Sequence, residues 1–125
     1  MEEKVSIASC SGMSAMGLIG RATSNDLATE NENILSICIT ATSADNEKFA
    51  DLIKKYPILA INGCSDECVN TILKSKGIDV EKTVNIDKIF ESEDIETKDP
   101  SRLDAEGEKA VKKLKIIIKE EIDLI

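Results

Sequence analysis

The chain has 125 residues, 42% of them hydrophobic, and a formal net charge of −8, so it is large enough to bury roughly two-thirds of the surface that its unfolded form exposes. The 16 basic residues against 24 acidic ones, with two phenylalanines and one tyrosine, exclude the clustered positive charge and the aromatic platforms of a nucleic-acid-binding protein. The sequence contains no histidine, which excludes the commonest general base and every histidine-containing metal site.

The first part of the chain alternates apolar runs with a helical pattern. Residues 5–9 form a run with β propensity that ends at Cys10, and apolar side chains then recur at helical spacing through Glu30. The next run, 34–39, is nearly all apolar, as is typical of a strand covered on both faces, and it contains Cys38. These patterns predict a strand, a helix and a second strand, with a thiol near the end of each strand.

The segment from Pro57 to Cys68 is the most informative part of the sequence. Pro57 ends a short predicted helix, because the residue before a proline is pushed out of the helical region. The apolar run 58–61 then leads through an Asn-Gly turn to Cys64 and Cys68, at the predicted start of a third helix that runs to Gly77. A thiol there lies near the positive end of the helix dipole, which favours the thiolate that binds metals or attacks electrophiles.

The last third of the chain is predicted to hold a strand, an exposed connection and a long helix. Residues 83–86 form a short fourth strand, and the charged stretch 91–99 is typical of a solvated connection. Asp99-Pro100 is typical of a helix cap followed by proline at the first helical position. The helix that follows, about 100–124, carries an aliphatic stripe with its lysines mostly off the stripe, so it can close one face of a sheet.

Strands that alternate with helical patterns predict an α/β fold. We expect three layers: a four-stranded, mostly parallel sheet with strand order 2-1-3-4, flanking helices and a long C-terminal amphipathic helix. The whole of residues 1–125 is predicted to be a single domain with its core in 4–90. Ligands of such folds bind outside the carboxyl ends of the strands, which is where this sequence places its thiols.

No apolar run reaches the length of a membrane span, and the run after Met1 is too short for the core of a signal peptide. We therefore expect a cytoplasmic protein without a membrane partner. Its four cysteines are then kept reduced, which favours metal binding or thiol chemistry over disulfides. A homodimer is a further hypothesis, in which the contact is formed by Ile116, off the stripe of the last helix, and by the tail Leu124-Ile125.

The four thiols are close enough in the predicted topology to share one metal ion. Cys10, Cys38 and Cys64 lie at or near the ends of the first three strands, and Cys68 lies about one turn along the following helix. A tetrahedral zinc ion with Zn–S bonds of about 2.3 Å holds its sulfurs roughly 3.8 Å apart, and neighbouring strands are about 4.8 Å apart. The interpretation of Cys38 stays open between ligand and core residue, because a one-residue register slip would turn it to the other face.

A metal-free thiol enzyme is the rival hypothesis. In it Cys64 or Cys10 is the reactive thiolate of a redox or transfer reaction. A pocket for a small anionic ligand would then be formed by Ser11, Gly12, Ser65 and Asp66. Two familiar thiol-enzyme motifs do not fit: Met16 stands where a C-x5-R phosphate loop needs arginine, and no C-x-x-C occurs. Whether the chain is an enzyme stays open at this point.

Three segments carry a resemblance to a known family. Cys10-Ser11-Gly12, Ser36-Ile37-Cys38 and the run from Ile58 to Cys64, followed by Cys68, resemble the DGC domain family, over about residues 4–90. The family is named for an Asp-Gly-Cys motif and described as zinc-binding. The resemblance implies a zinc ion held by Cys10, Cys38, Cys64 and Cys68, with no settled reaction. Our first hypothesis is therefore a zinc-binding protein with a role in metal handling or sensing, because a closed four-sulfur shell has no open position for a substrate and disfavours hydrolysis.

One residue departs from the motif that names the family. Asn62 stands where the name calls for aspartate. Asparagine keeps a short polar acceptor for the turn, but it cannot serve as a carboxylate base or as an anionic ligand. The residue at this position therefore does not favour a mechanism that needs a charge there.

Overall fold

The computed structural model of the chain describes residues 4–10, 14–37, 52–63, 66–99 and 102–125. In chain order its elements are β1 (Val5–Ser9), α1 (Ala15–Glu30), β2 (Ile34–Ile37), α2 (Leu52–Lys55), β3 (Ile58–Asn62), α3 (Cys68–Ser75), β4 (Lys82–Asn85), α4 (Ile86–Glu93) and α5 (Ala105–Asp123). Within these ranges, every helix is too short or too polar to cross a membrane.

The four strands form one parallel sheet in the order β2-β1-β3-β4. This confirms the predicted α/β fold class and strand order. In the register of the two central strands, Ser9 at the end of β1 pairs with Ile61 of β3. The carboxyl ends of β1 and β3 therefore lie side by side at one edge of the sheet, which we call the carboxyl edge.

The sheet separates two hydrophobic clusters, because successive side chains of a strand point to opposite faces. On one face, Ile7 and Leu59 belong to a large cluster that α1, α4 and α5 complete, with Leu114 and Ile118 supplied by α5. The other face carries a smaller cluster around Ala8 and Ala60, which Val69 and Leu73 of α3 cover. Helices on both faces of a parallel sheet give the three predicted layers.

The long helix α5 has the predicted stripe, but it begins later than the sequence suggested. Its capping residue is Asp104, whose carboxylate Oδ1 accepts a hydrogen bond of 2.8 Å from the backbone N–H of Gly107. The predicted cap, Asp99, instead lies 3.3 Å from the guanidinium of Arg102. Ile116, predicted to lie off the stripe, is 60% exposed.

The short helix α4 was missed in the sequence. The sequence predicts Ile86 at the end of a strand and 91–93 in a charged connection, and it assigns 87–90 to neither. In the structure Ile86 and Phe90 are one helical turn apart and both are buried. An eight-residue helix has little stability of its own, so this packing against the core, rather than local propensity, decides its conformation.

Helix α1 approaches the carboxyl edge closely because it has a glycine at the point of contact. A Cβ atom at Gly20 would lie 2.8 Å from Ser9 Oγ and 3.3 Å from the backbone oxygen of Cys10. A larger residue would require either the Ser9 side chain to turn or α1 to move away from the end of β1. Gly20 thus sets the distance between α1 and the segment that carries the first thiol.

Candidate functional site

Cys10 continues the hydrogen-bonding pattern of the sheet beyond β1. Its backbone N–H donates to the carbonyl oxygen of Ile61 in β3 at 2.8 Å. The residue is half-buried and contacts the smaller hydrophobic cluster around Ala60. The first thiol therefore lies at the carboxyl edge, next to the segment that leads into the Asn-Gly turn.

Gly63 forms one wall of the space around the Cys10 thiol. A Cβ atom at this buried glycine would lie 3.5 Å from Cys10 Sγ, 3.6 Å from Met16 Cβ and 3.7 Å from the backbone nitrogen of Gly17. Gly17 belongs to the first turn of α1, where its N–H donates to the capping hydroxyl of Ser14 at 3.0 Å. The Cys10 thiol thus faces the residue immediately before Cys64, close to the N-terminus of a helix.

Cys68 is the first residue of α3 and its side chain is exposed. The sequence predicts it about one turn into the helix. The helix begins later because the residue before it, Glu67, adopts the left-handed conformation with φ of 52° and ψ of 49°, which no α-helix can include. Cys68 therefore starts the helix instead of lying one turn along it.

The other two predicted thiols, Cys38 and Cys64, lie outside the described residues, as do Ser11, Gly12 and Ser65 of the predicted anion pocket. In the sequence Cys38 follows Ile37, the last residue of β2, which pairs with Ala8 of β1. In the part of the chain that the structure describes, no three potential metal-binding side chains come together. The four-cysteine site remains a prediction, with Cys10 and Cys68 its two described members.

Asn62 is the centre of a network of amide side chains at the end of β3. It is 1% exposed, and its Oδ1 accepts a hydrogen bond of 3.0 Å from the backbone N–H of Val69. Its Nδ2 donates to Asn70 Oδ1 at 2.7 Å and to Asn85 Oδ1 at 3.2 Å. Asn62 is therefore an acceptor, but its donor lies in α3 rather than in the turn, and the residue is also a donor.

Two further bonds complete what we call the amide network. Asn70 Nδ2 donates to Thr83 Oγ1 at 2.9 Å, and Asn85 Nδ2 donates to Glu67 Oε2 at 3.0 Å. The network joins the ends of β3 and β4 to the start of α3. The members of the network other than Asn62 were not identified from the sequence. The only sequence signal for them is that Asn85, like Asn62, lies near the end of a predicted strand and that Asn70 lies inside a predicted helix.

A groove with a volume of about 380 Å³ borders the network on the side of β4 and α5. Glu67 and Asn85 line it, together with Lys88 and Glu121. Glu121 also forms an ion pair of 2.9 Å with Lys82. Solvent therefore reaches the Glu67 end of the network, whereas Asn62 at its centre is buried.

Comparison with models of known protein families finds a match to the model described as the DGC domain, over residues 6–114. The match covers most of the chain, includes all four cysteine positions and extends into α5. Searches of curated proteins and of solved structures find no match.

Proposed function

The chain belongs to the DGC domain family, and from this membership together with the position of its thiols we propose that it binds one zinc ion at the carboxyl edge. The ligands are the sulfurs of Cys10, Cys38, Cys64 and Cys68. The observation that supports the proposal most directly is the position of Gly63, the residue before Cys64, where an added Cβ atom would lie 3.5 Å from Cys10 Sγ. In the sequence Cys64 follows Gly63 directly, so we propose it as a second ligand in a chain that has no histidine to take that role.

The space beside Cys10 suits an ion held by sulfur. Gly63 leaves open a volume that a Cβ atom would fill, at ordinary contact distance from Cys10 Sγ. Thiolates prefer zinc, copper(I) and iron to the hard cations. The N-terminal amides of α1, where Gly17 lies, partly offset the two net negative charges of four thiolates around Zn²⁺.

Metal handling or sensing is the role we propose for this site. A zinc ion with four sulfur ligands has no open coordination position, so it would join loops of the carboxyl edge rather than activate water. Loss or gain of the ion would then change the order of these loops, because metal binding and local folding are thermodynamically coupled.

Metal analysis of the protein purified without added zinc tests the proposal. We expect about one zinc per chain, with all four thiols protected from alkylation until a chelator is added. Replacing any one of the four cysteines by serine should weaken zinc binding by more than the ~10–100-fold typical of second-shell changes. The rival hypothesis, a thiol-dependent redox or transfer enzyme with Cys64 or Cys10 as its thiolate, predicts no stoichiometric metal and one fast-reacting thiol.

Gly63→Ala tests the proposed location of the ion without removing a ligand. The added methyl group would lie at ordinary contact distance from its neighbours. We therefore expect the free energy of unfolding of the metal-free variant to lie within about 0.5 kcal/mol of the parent value. Zinc affinity should fall, because the methyl group occupies space beside Cys10 Sγ. Gly107→Ala in the first turn of α5 is the matched control, and its zinc affinity should equal that of the parent.

A further inference from the structure

The amide network contains a chain of hydrogen bonds that can run in only one direction. It begins at the backbone N–H of Val69, which can only donate, and it ends at the carboxylate of Glu67, which can only accept. Asn62 and Asn85 stand between these ends, and each accepts with its oxygen and donates with its nitrogen. Both ends of the chain lie on the residues that flank Cys68.

The backbone at Glu67 needs such support. Residues that cap the N-terminus of a helix usually adopt extended dihedral angles. Glu67 is instead left-handed, a conformation that costs free energy for a residue with a Cβ atom and little for glycine. Its carbonyl oxygen nevertheless accepts the bond of 3.0 Å from the N–H of Thr71 that starts α3. The bond from Asn85 to the Glu67 carboxylate holds this residue where α3 can begin at Cys68.

We propose that Glu67 is a positioning residue for Cys68, and that its carboxylate fixes the direction of the amide network, so that position 62 must hold an amide. Glu67 acts through its hydrogen bond with Asn85, which is hydrogen-bonded in turn to Asn62. Asn62 is hydrogen-bonded to Val69, the residue on the other side of Cys68. The inference goes beyond the proposed function, since it concerns how Cys68 is held with or without a metal.

The variant Asn62→Asp keeps the shape of the side chain but replaces its N–H donor by a charged oxygen, which can only accept. An aspartate can still accept from Val69, but its second oxygen would face the oxygens of Asn70 and Asn85. Asn70 can turn its amide, because its other partner is the hydroxyl of Thr83, which can donate as well as accept.

Asn85 cannot turn without cost. Its oxygen would then face the carboxylate of Glu67, which has no hydrogen to donate. Glu67→Gln removes this conflict, because the glutamine amide can donate to the turned Asn85. The same substitution in the parent leaves the original direction intact, since the glutamine oxygen can accept from Asn85 Nδ2.

The test compares the parent, N62D, E67Q and N62D/E67Q by amide hydrogen exchange of the metal-free protein. Exchange at Thr71 should be about tenfold faster in N62D, the factor expected for losing a hydrogen bond to a charged group. It should stay within about twofold of the parent in E67Q and return to that range in the double variant. Exchange at Leu114, in the core of α5, should change in none of them.

Alkylation of Cys68, resolved by mass spectrometry, should follow the same pattern and return to the parent rate in N62D/E67Q. The proposal is overturned if N62D matches the parent or if the double variant is no better than N62D. Should N62D fail to fold, folding of the double variant supports the proposal and its failure to fold contradicts it.

Glu67→Gly supplies an independent test, because it relieves the left-handed backbone while removing the carboxylate. We expect faster exchange at Thr71 in this variant in spite of the relieved backbone. Asp94→Gly is the matched control, since Asp94 is also left-handed, with φ of 55°, and lies at the end of α4. It should leave Thr71 unchanged. Parent-like protection of Thr71 in E67G would show that the backbone alone positions Cys68.

Discussion

Leu114 and Asn62 are both almost completely buried, at 0% and 1% exposure, but they are held in different ways. Leu114, on α5, lies among the mostly aliphatic side chains of the larger cluster, which we call the aliphatic face and where contacts have no direction. Asn62 lies at the carboxyl edge and is held by hydrogen bonds, each with a donor and an acceptor. The aliphatic face supplies stability, whereas the carboxyl edge supplies the positions of particular groups.

This difference predicts different responses to substitution. The aliphatic face should lose stability in proportion to the volume removed, whichever way the side chains repack. The amide network should fail when the order of donors and acceptors is broken, even if volume is unchanged, because a buried polar group without a partner costs free energy. Variants in each region can break or sharpen the contrast.

The largest effect is expected at Leu114. Leu114→Ala removes a fully buried side chain and should lower the free energy of unfolding by about 2–5 kcal/mol, measured by urea denaturation. Ile116→Ala on the same helix is the control, because Ile116 is 60% exposed and should stay within about 0.5 kcal/mol of the parent. Equal losses at the two positions would contradict the assignment of this face as the main core.

An intermediate effect is expected where the two regions meet, at Gly20. Gly20→Ala would place Cβ 2.8 Å from Ser9 Oγ, and we expect a net loss of about 1–2 kcal/mol after the gain in helix propensity. The amide NMR signal of Cys10 should shift as well, since the carbonyl oxygen of Cys10 would lie 3.3 Å from the added Cβ atom.

Ser9→Ala provides the matched test of that contact. If the clash with Ser9 Oγ causes most of the loss, S9A/G20A should be more stable than the sum of the single variants predicts. Strict additivity of the two changes would show that the loss arises elsewhere.

The smallest effect is expected at the surface pair between α1 and α5. Lys115 Nζ lies 2.7 Å from Glu30 Oε1 and 3.7 Å from Asp26 Oδ2, and the hydrogen bond with Glu30 raises the pKa of Lys115 from its usual 10.5. Because the side chain is on the surface, Lys115→Met should cost only about 0.2–1 kcal/mol at neutral pH.

The direction of that shift fixes the pH dependence. A raised pKa in the folded state means that the contribution is complete below pH 10.5 and is lost as the pH rises through the folded-state value. The difference in stability between the parent and K115M should therefore shrink above that pH. A difference that grows in the alkaline range would contradict the ion pair.

The aliphatic face could be predicted from the sequence to a large extent. The run that became β3 is almost wholly apolar, as expected of a central strand, β1 is apolar at three of its five positions, and the stripe of α5 has helical spacing. Burial leaves a periodic signal in a sequence, because each element buries side chains at a fixed interval. Strand order is not contained in this signal; the order 2-1-3 is predicted because it brings the cysteine-bearing ends of the first three strands together.

The carboxyl edge could be predicted only in part. The Asn-Gly turn before Cys64 and the polar role of Asn62 are visible in the sequence, but the hydrogen bond between Asn62 and Asn85 joins residues 23 positions apart. Such a bond depends on two strand ends lying side by side and on the direction of each amide. The left-handed Glu67, which sets the start of α3, likewise has no local sequence signal.

X-ray absorption at the zinc edge of the zinc-loaded parent tests the central claim most directly. We expect a first shell of four sulfur atoms at about 2.3 Å, and three sulfurs with one lighter atom in Cys68→Ser. A parent shell that contains oxygen or nitrogen at about 2.0–2.1 Å, or a parent protein that takes up no stoichiometric zinc, would contradict it.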